Sequence, residues 1–117
     1  MSFQKEPASD VQRIGAVIAL AEEGAEEYVR LHAAVPPEVL DVLKKVNVSN
    51  YSIFRRGELL FSYMEYRGSD LAADMATMAG DPATQRWWDL VMPLQRTMRS
   101  SPGEDWWAPM EEVFHLA

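Results

Sequence analysis

The stretch EEYVRLH, residues 26–32, sets a tyrosine and a histidine four positions apart, Tyr28 and His32. On a helix, residues at i and i+4 lie one above the other, with Cβ atoms roughly 5–6 Å apart. Two groups able to exchange protons would then share one face. Histidine titrates near neutral pH, so the pair is a candidate acid–base unit. Packing is the competing reading, because perturbed or catalytic histidines are a minority. Spacing alone leaves both open.

A second chemical signature is QRWW, Gln85 to Trp88. At 3.6 residues per turn the two indoles point about 100° apart, so Trp87 and Trp88 can divide their duties between core and cleft. An indole face packs on the apolar C–H face of a pyranose, and Gln85 and Arg86 are placed to donate hydrogen bonds. The plainer reading is two core tryptophans, since large aromatics supply much core burial. Tyr51, directly after Asn50, starts a strand from which its hydroxyl can reach a cleft rim; a half-buried strand tyrosine is the plainer reading there. Trp106 and Trp107 repeat the doublet in a loop, where packing on the last strand is expected.

Other chemistries lack their patterns. The chain has no cysteine, no glycine-rich phosphate loop and no GxSxG elbow. His32 and His115 fall in separate elements without metal-ligand spacing, so neither a metal nor a cofactor is expected.

The elements that must position these residues follow from period and punctuation. VQRIGAVIALA reads as a mostly buried strand. GAEEYVRLHAA switches to helical period, with Ala25, Tyr28, Val29 and His32 inward and a Glu26–Arg30 pair outside. It should stop near Val35, before Pro36. Pro37 then opens PEVLDVLKKV, with Val39, Val42, Leu43 and Val46 inward.

NYSIFRRGELLFSYMEYRG reads as a β-hairpin about RRGE. SDLAADMATMAG is a short capped helix. DPATQRWWDLVMPLQRTM starts another at Asp81 and Pro82, which Pro93 should kink or end. After a loop, SSPGEDWWAP, the alternation in MEEVFHLA suggests a last strand. Strand, helix, strand, strand, helix, strand is the split βαβ order, an α+β ferredoxin-like fold. It predicts a four-stranded antiparallel sheet with helices on one face. Tyr51, Ile53, Phe61 and Tyr63 are expected on the bare face, where a second copy would close sheet against sheet as a dimeric α/β barrel.

At 117 residues the chain is expected to be one domain, residues 11–117, behind a flexible tail, 1–10. A net charge of −7 argues against nucleic acid and anionic membrane surfaces as partners. The longest apolar run, Ile14 to Ala21 broken by Gly15, is far short of the ~20 residues that span a bilayer. With no signal-peptide pattern at the start, a cytoplasmic location is expected.

In order along the chain, EEYVRLH with PEVLDVLKKV, then NYSIF, LLFSYMEY, QRWW and EEVFHL resemble the L-rhamnose mutarotases. These are small dimeric ferredoxin-like proteins that interconvert the α and β anomers of a 6-deoxy sugar. The resemblance runs from about Gln12 to the end. It implies that His32 is the proton donor and that Tyr28, Tyr51, Trp87 and Trp88 contact the sugar, L-rhamnose or L-fucose. The family commonly carries a tryptophan before the proline that opens the second helix, whereas HAAVPPE places Pro36 there. Two rival functions use the same scaffold: a non-catalytic small-ligand binding protein, and a cofactor-independent oxygenase or haem-handling enzyme.

Overall fold

Small and β-branched residues fill Gln12–Leu20 (β1), and burial alternates along its second half: Ala16, Ile18 and Leu20 are buried, Val17 and Ala19 less so. That period of two puts residues 14, 16, 18 and 20 on one sheet face and 13, 15, 17 and 19 on the other. A computed structural model of the chain describes residues 11–117; the expected tail, residues 1–10, lies outside the described residues. A 3-10 turn at Glu22–Gly24 leads into helix α1 (Ala25–His32), and α2 (Pro37–Lys45) follows with proline in its first turn. The expected break at Pro36 is therefore present, with α1 ending three residues before Val35.

Two details of α1 differ from expectation. Val29 is half exposed, because the buried stripe runs through Ala25, Tyr28, Leu31 and Val35 and leaves Val29 at its margin. Arg30 pairs with Glu27 rather than Glu26, its guanidinium gripping both carboxylate oxygens at 2.5 and 2.7 Å from i,i+3.

The hairpin is β2 (Val48–Arg56) and β3 (Leu59–Tyr66), with Gly57 at φ +59° as the first residue of a two-residue turn. β2 carries an extra residue between Ser49 and Ser52, and Asn50 absorbs it at φ +47°. Asparagine tolerates this left-handed conformation, and its side chain donates to Glu65 at 2.7 Å. One inserted residue reverses the alternation. Val48, Tyr51 and Ile53 therefore all face the helices, which corrects the expectation that Tyr51 and Ile53 lie on the bare face. That outer face is made by Val17, Phe54, Phe61 and Tyr63.

Helix α3 (Leu71–Ala79) starts at Asp70, whose carboxylate accepts from the Ala73 amide. Its docking depends on a polar clamp: Asp74 accepts from the Tyr66 hydroxyl at 2.5 Å and from Asn47 at 3.0 Å. Gly68 lies against this clamp, and a Cβ there would sit 2.2 Å from the Tyr66 hydroxyl oxygen. Gly68→Ala is therefore expected to force the clamp apart at a cost of about 1–3 kcal/mol, read as a lower urea midpoint at unchanged slope.

Helix α4 (Pro82–Val91) begins as expected, with the Asp81 carboxylate accepting from the Thr84 amide at 2.8 Å. Pro93 ends it in a 3-10 turn, Met92–Leu94. The remainder departs from expectation. Beyond Pro93, Gln95–Arg96 is a two-residue strand β4 that the sequence does not announce, and the last strand β5 is Ala108–Met110 rather than MEEVFHLA. Both pair with β1 along one edge: Leu20 with Gln95, and Val17 with Ala108. The register between them moves by ten residues, so the fourth strand is one strand interrupted by an excursion over residues 97–107. Residues 111–117 form no regular element, and Val113, Phe114 and Leu116 stand 79–85% exposed.

The sheet order β2-β3-β1-β4, all neighbours antiparallel, is the ferredoxin-like arrangement that was expected. Ile18, Leu20, Tyr28, Val39, Leu60, Trp87 and Val91 form the core between sheet and helices. Among the described residues, no helix is long and apolar enough to cross a membrane.

Candidate functional site

Core filling stops short at the broad end of this layer and leaves a cavity of about 470 Å³ between the helices and the sheet. That is within the ~300–1,000 Å³ common for small-molecule sites. Every element type contributes to its wall: Ala16 and Ser62 from the sheet, Val39 and Leu43 from α2, Met75 and Met78 from α3, Thr84 and Val91 from α4. Tyr28, His32, Tyr51, Trp87 and Trp88, singled out in the sequence, all line it. The fold brings together residues up to sixty positions apart.

Tyr28 and His32 are stacked, with ring centroids 4.2 Å apart and planes 29° from parallel. The Trp87 indole meets the imidazole edge-on, with centroids 5.0 Å apart. Nδ1 of His32 lies 2.8 Å from the Tyr28 carbonyl oxygen. A carbonyl only accepts, so Nδ1 carries the proton and donates it there. In the neutral ring Nε2 then holds the lone pair, and it has no hydrogen-bond partner among the described residues. The backbone thus fixes which nitrogen is free to exchange a proton.

Tyr28 is 3% exposed, and burial pushes its phenol up to about 12. Tyr51 is 43% exposed as a whole residue, yet its hydroxyl is enclosed by protein, which raises its pKa as well. Tyr63 and Tyr66 are raised by burial and by donating to Glu65 and Asp74. All four tyrosines of the chain thus hold their protons above the ordinary value of 10.

Between the unfolded and folded pKa values the native state binds more protons, so stability falls as pH rises beyond about 10. An alkaline absorbance titration followed with circular dichroism is expected to show no phenolate until above pH 10, with unfolding alongside. A phenol ionising at 10 in the intact fold would contradict this.

The two tryptophans of QRWW divide as their angular separation predicts. Trp87 is buried in the core cluster with its edge to His32, while Trp88 is half-buried at the cavity wall. Gln85 and Arg86 are exposed and do not line the cavity; Gln85 instead donates to the Ala79 carbonyl at 2.9 Å. His115 lies on the exposed C-terminal segment and does not line the cavity. Among the described residues, no three His, Cys, Asp or Glu side chains come together as a metal site.

Several lining residues escape a reading of the sequence. Trp106 and Trp107, expected to pack on the last strand, are carried back to the cavity by the 97–107 excursion, whose base is tied by Thr97 donating to the Trp106 carbonyl at 2.8 Å. Asp105 lines the cavity beside them. Gln95 is 5% exposed and bridges the Trp106 indole and the Tyr28 hydroxyl. Thr84 is 2% exposed and its hydroxyl has no hydrogen-bond partner among the described residues. Nothing in the periodicity marks Gln95 or Thr84.

The ferredoxin-like sheet and the cavity beneath its helices define an α+β protein with an internal cavity walled by aromatic rings. A family model described as L-rhamnose mutarotase matches residues 13–116, so the chain belongs to the L-rhamnose mutarotase family and is an isomerase. It is 32% identical over 110 residues to an L-rhamnose mutarotase of Listeria monocytogenes, covering 92% of this chain and 100% of that protein. It is 33% identical over 109 residues to one of Lactiplantibacillus plantarum, covering 89% and 97%.

The crystal structure of L-rhamnose mutarotase from Formosa agariphila superposes with a TM-score of 0.71 at 25% identity, over 91% of this chain and 99% of that one. Tetracenomycin F2 cyclase from Streptomyces glaucescens superposes at 0.68 with 15% identity, over 91% and 97%, which is a likeness of fold.

Proposed function

We propose that this protein interconverts the α and β anomers of a 6-deoxy-L-hexose, L-rhamnose first and L-fucose second. The observation that carries the reading is the His32 imidazole, held by the Tyr28 carbonyl with Nε2 free at the wall of an aromatic cavity. The relatives named L-rhamnose mutarotase support the sugar assignment.

Opening the hemiacetal breaks the bond from C1 to the ring oxygen and makes the C1 carbonyl. A proton leaves the anomeric hydroxyl and one arrives at the ring oxygen. Rotation about C1–C2 and reclosure on the other face reverse these transfers. Neutral His32 accepts at Nε2 on one step and returns the proton on the other. Tyr28, whose phenol stays protonated, is a hydrogen-bond donor to a sugar oxygen rather than a base. Tyr51, at the cavity wall, presents its hydroxyl to a remaining oxygen. Trp87 and Trp88 give flat apolar faces to the C–H groups and the methyl.

The experiment is anomeric saturation-transfer NMR with L-rhamnose and L-fucose. Exchange accelerated by catalytic amounts of protein supports the reading. Sugar-dependent melting shifts without acceleration would identify a binding protein instead.

The reading includes a homodimer closing sheet against sheet. Phe54, on the outer face, is 64% exposed, and the exposed C-terminal Val113, Phe114 and Leu116 add apolar surface. Apolar area of this kind is normally covered. Sedimentation equilibrium would return twice the 13.3 kDa chain mass if it is, and the single mass if it is not.

A further inference from the structure

The polar connection behind Tyr28 has a direction that follows from donor and acceptor chemistry. An indole N–H can only donate, and Trp106 Nε1 lies 2.7 Å from Gln95 Oε1. This fixes the Gln95 amide with its oxygen toward Trp106. The amide nitrogen is then left to face the Tyr28 hydroxyl at 3.2 Å, and it too can only donate. The Tyr28 oxygen is the acceptor, so its own proton must point elsewhere.

Tyr28 and Gln95 are 3% and 5% exposed, which leaves few directions for that proton, and both residues line the cavity. We infer that Gln95, aligned by the Trp106 indole, is a positioning residue that turns the Tyr28 hydroxyl into a hydrogen-bond donor to the sugar. This rests on the sugar-isomerase reading and adds a mechanism by which residues outside the Tyr28–His32 pair set its polarity.

The construction of the fold gives this connection its parts. Pro93 ends α4 and the next residues turn onto the end of β1, where Leu20 pairs with Gln95. The excursion then returns Trp106 just before β5. Interrupting the fourth strand is what lets residues 95 and 106 meet across eleven positions. Arg99 sits 5.1 Å over the Trp106 ring and further restrains it.

The test is a double-mutant cycle on kcat/KM for L-rhamnose anomer exchange. Gln95→Met keeps the length of the side chain and removes both hydrogen bonds; it is expected to lose roughly fivefold, the worth of one hydrogen bond. In a Tyr28→Phe background the same change should lose less than about twofold, because the hydroxyl it acts on is absent. Trp106→Phe should resemble Gln95→Met.

Equal losses from Gln95→Met in both backgrounds would make Gln95 merely structural and overturn the inference. Should the wild type fail to accelerate exchange, the enzymatic reading falls and the same cycle is read on the Kd for L-rhamnose. Coupling there would preserve the positioning role for a binding site, and additivity or absence of binding would remove it.

Discussion

Replacing His32 with alanine is expected to lower the catalysed rate of anomer exchange by about 10²–10⁴-fold, the range that a positioned acid–base group supplies. The size of the effect follows from the wall of the cavity. Its other groups that can carry a proton are the two phenols, held protonated by burial, and Asp105 on an exposed loop position. None of these stands in the His32 ring's place, with one nitrogen anchored to backbone and the other open.

The fold should survive His32→Ala. His32 is only half-buried, and what is lost is a stack on Tyr28, an edge contact with Trp87 and one hydrogen bond, together about 1–3 kcal/mol. Saturation transfer on a variant with native circular dichroism separates the two effects. A folded His32→Ala protein exchanging anomers as fast as wild type would remove the histidine from the mechanism.

His32→Gln refines the result. A glutamine amide reaches into similar space and can still hydrogen-bond a sugar oxygen, but it cannot accept and return a proton in the working range of pH. Binding measured by L-rhamnose chemical-shift titration should therefore be retained within a few-fold while kcat falls as in the alanine variant. If kcat were kept, orientation of the sugar rather than proton transfer would be the histidine's contribution.

How the site could be read in advance depended on how local each signal was. The Tyr28–His32 pair sits within one turn of one helix, and the Asp81-Pro82 start fixed the rotation of the two indoles in α4, so both were legible from spacing. The sheet face of Tyr51 is not legible from alternation: its position after Asn50 suggests a cleft rim, while strict period-two pairing suggests the bare face. A single bulged residue, Asn50, decides between the faces, and alternation by itself does not announce a parity change. The fourth strand was less accessible still. Its two pieces are two and three residues long, too short to show a period, while the alternation of MEEVFHLA runs past Met110 into residues 111–117, which make no ladder. Gln95 and Trp106 gain meaning only when that interrupted strand is laid along β1.

Trp87→Ala is expected to be the most damaging single substitution to stability, about 3–5 kcal/mol, whereas Trp88→Ala should act mainly on the sugar. Trp87 is 9% exposed and packs in one cluster with Ile18, Leu20, Tyr28, Val39, Leu60 and Val91. Removing its indole opens a void among residues from β1, α1, α2 and β3 at once, and these elements cannot all move inward together.

A domain of this size holds roughly 5–15 kcal/mol in total, so the loss takes a large share of it and should lower Tm by more than about 10 °C. It also frees the imidazole that Trp87 holds edge-on. Trp88 borders the same cavity but is half-buried, so its truncation should cost the fold less and raise KM for L-rhamnose about tenfold, with kcat changed less.

The contrast is read by thermal melts and exchange kinetics on the two variants side by side. Equal melting temperatures would mean that the adjacent indoles share the core, and the separation of one for packing and one for the ligand would be wrong. An unchanged KM in Trp88→Ala would instead take the sugar off that wall.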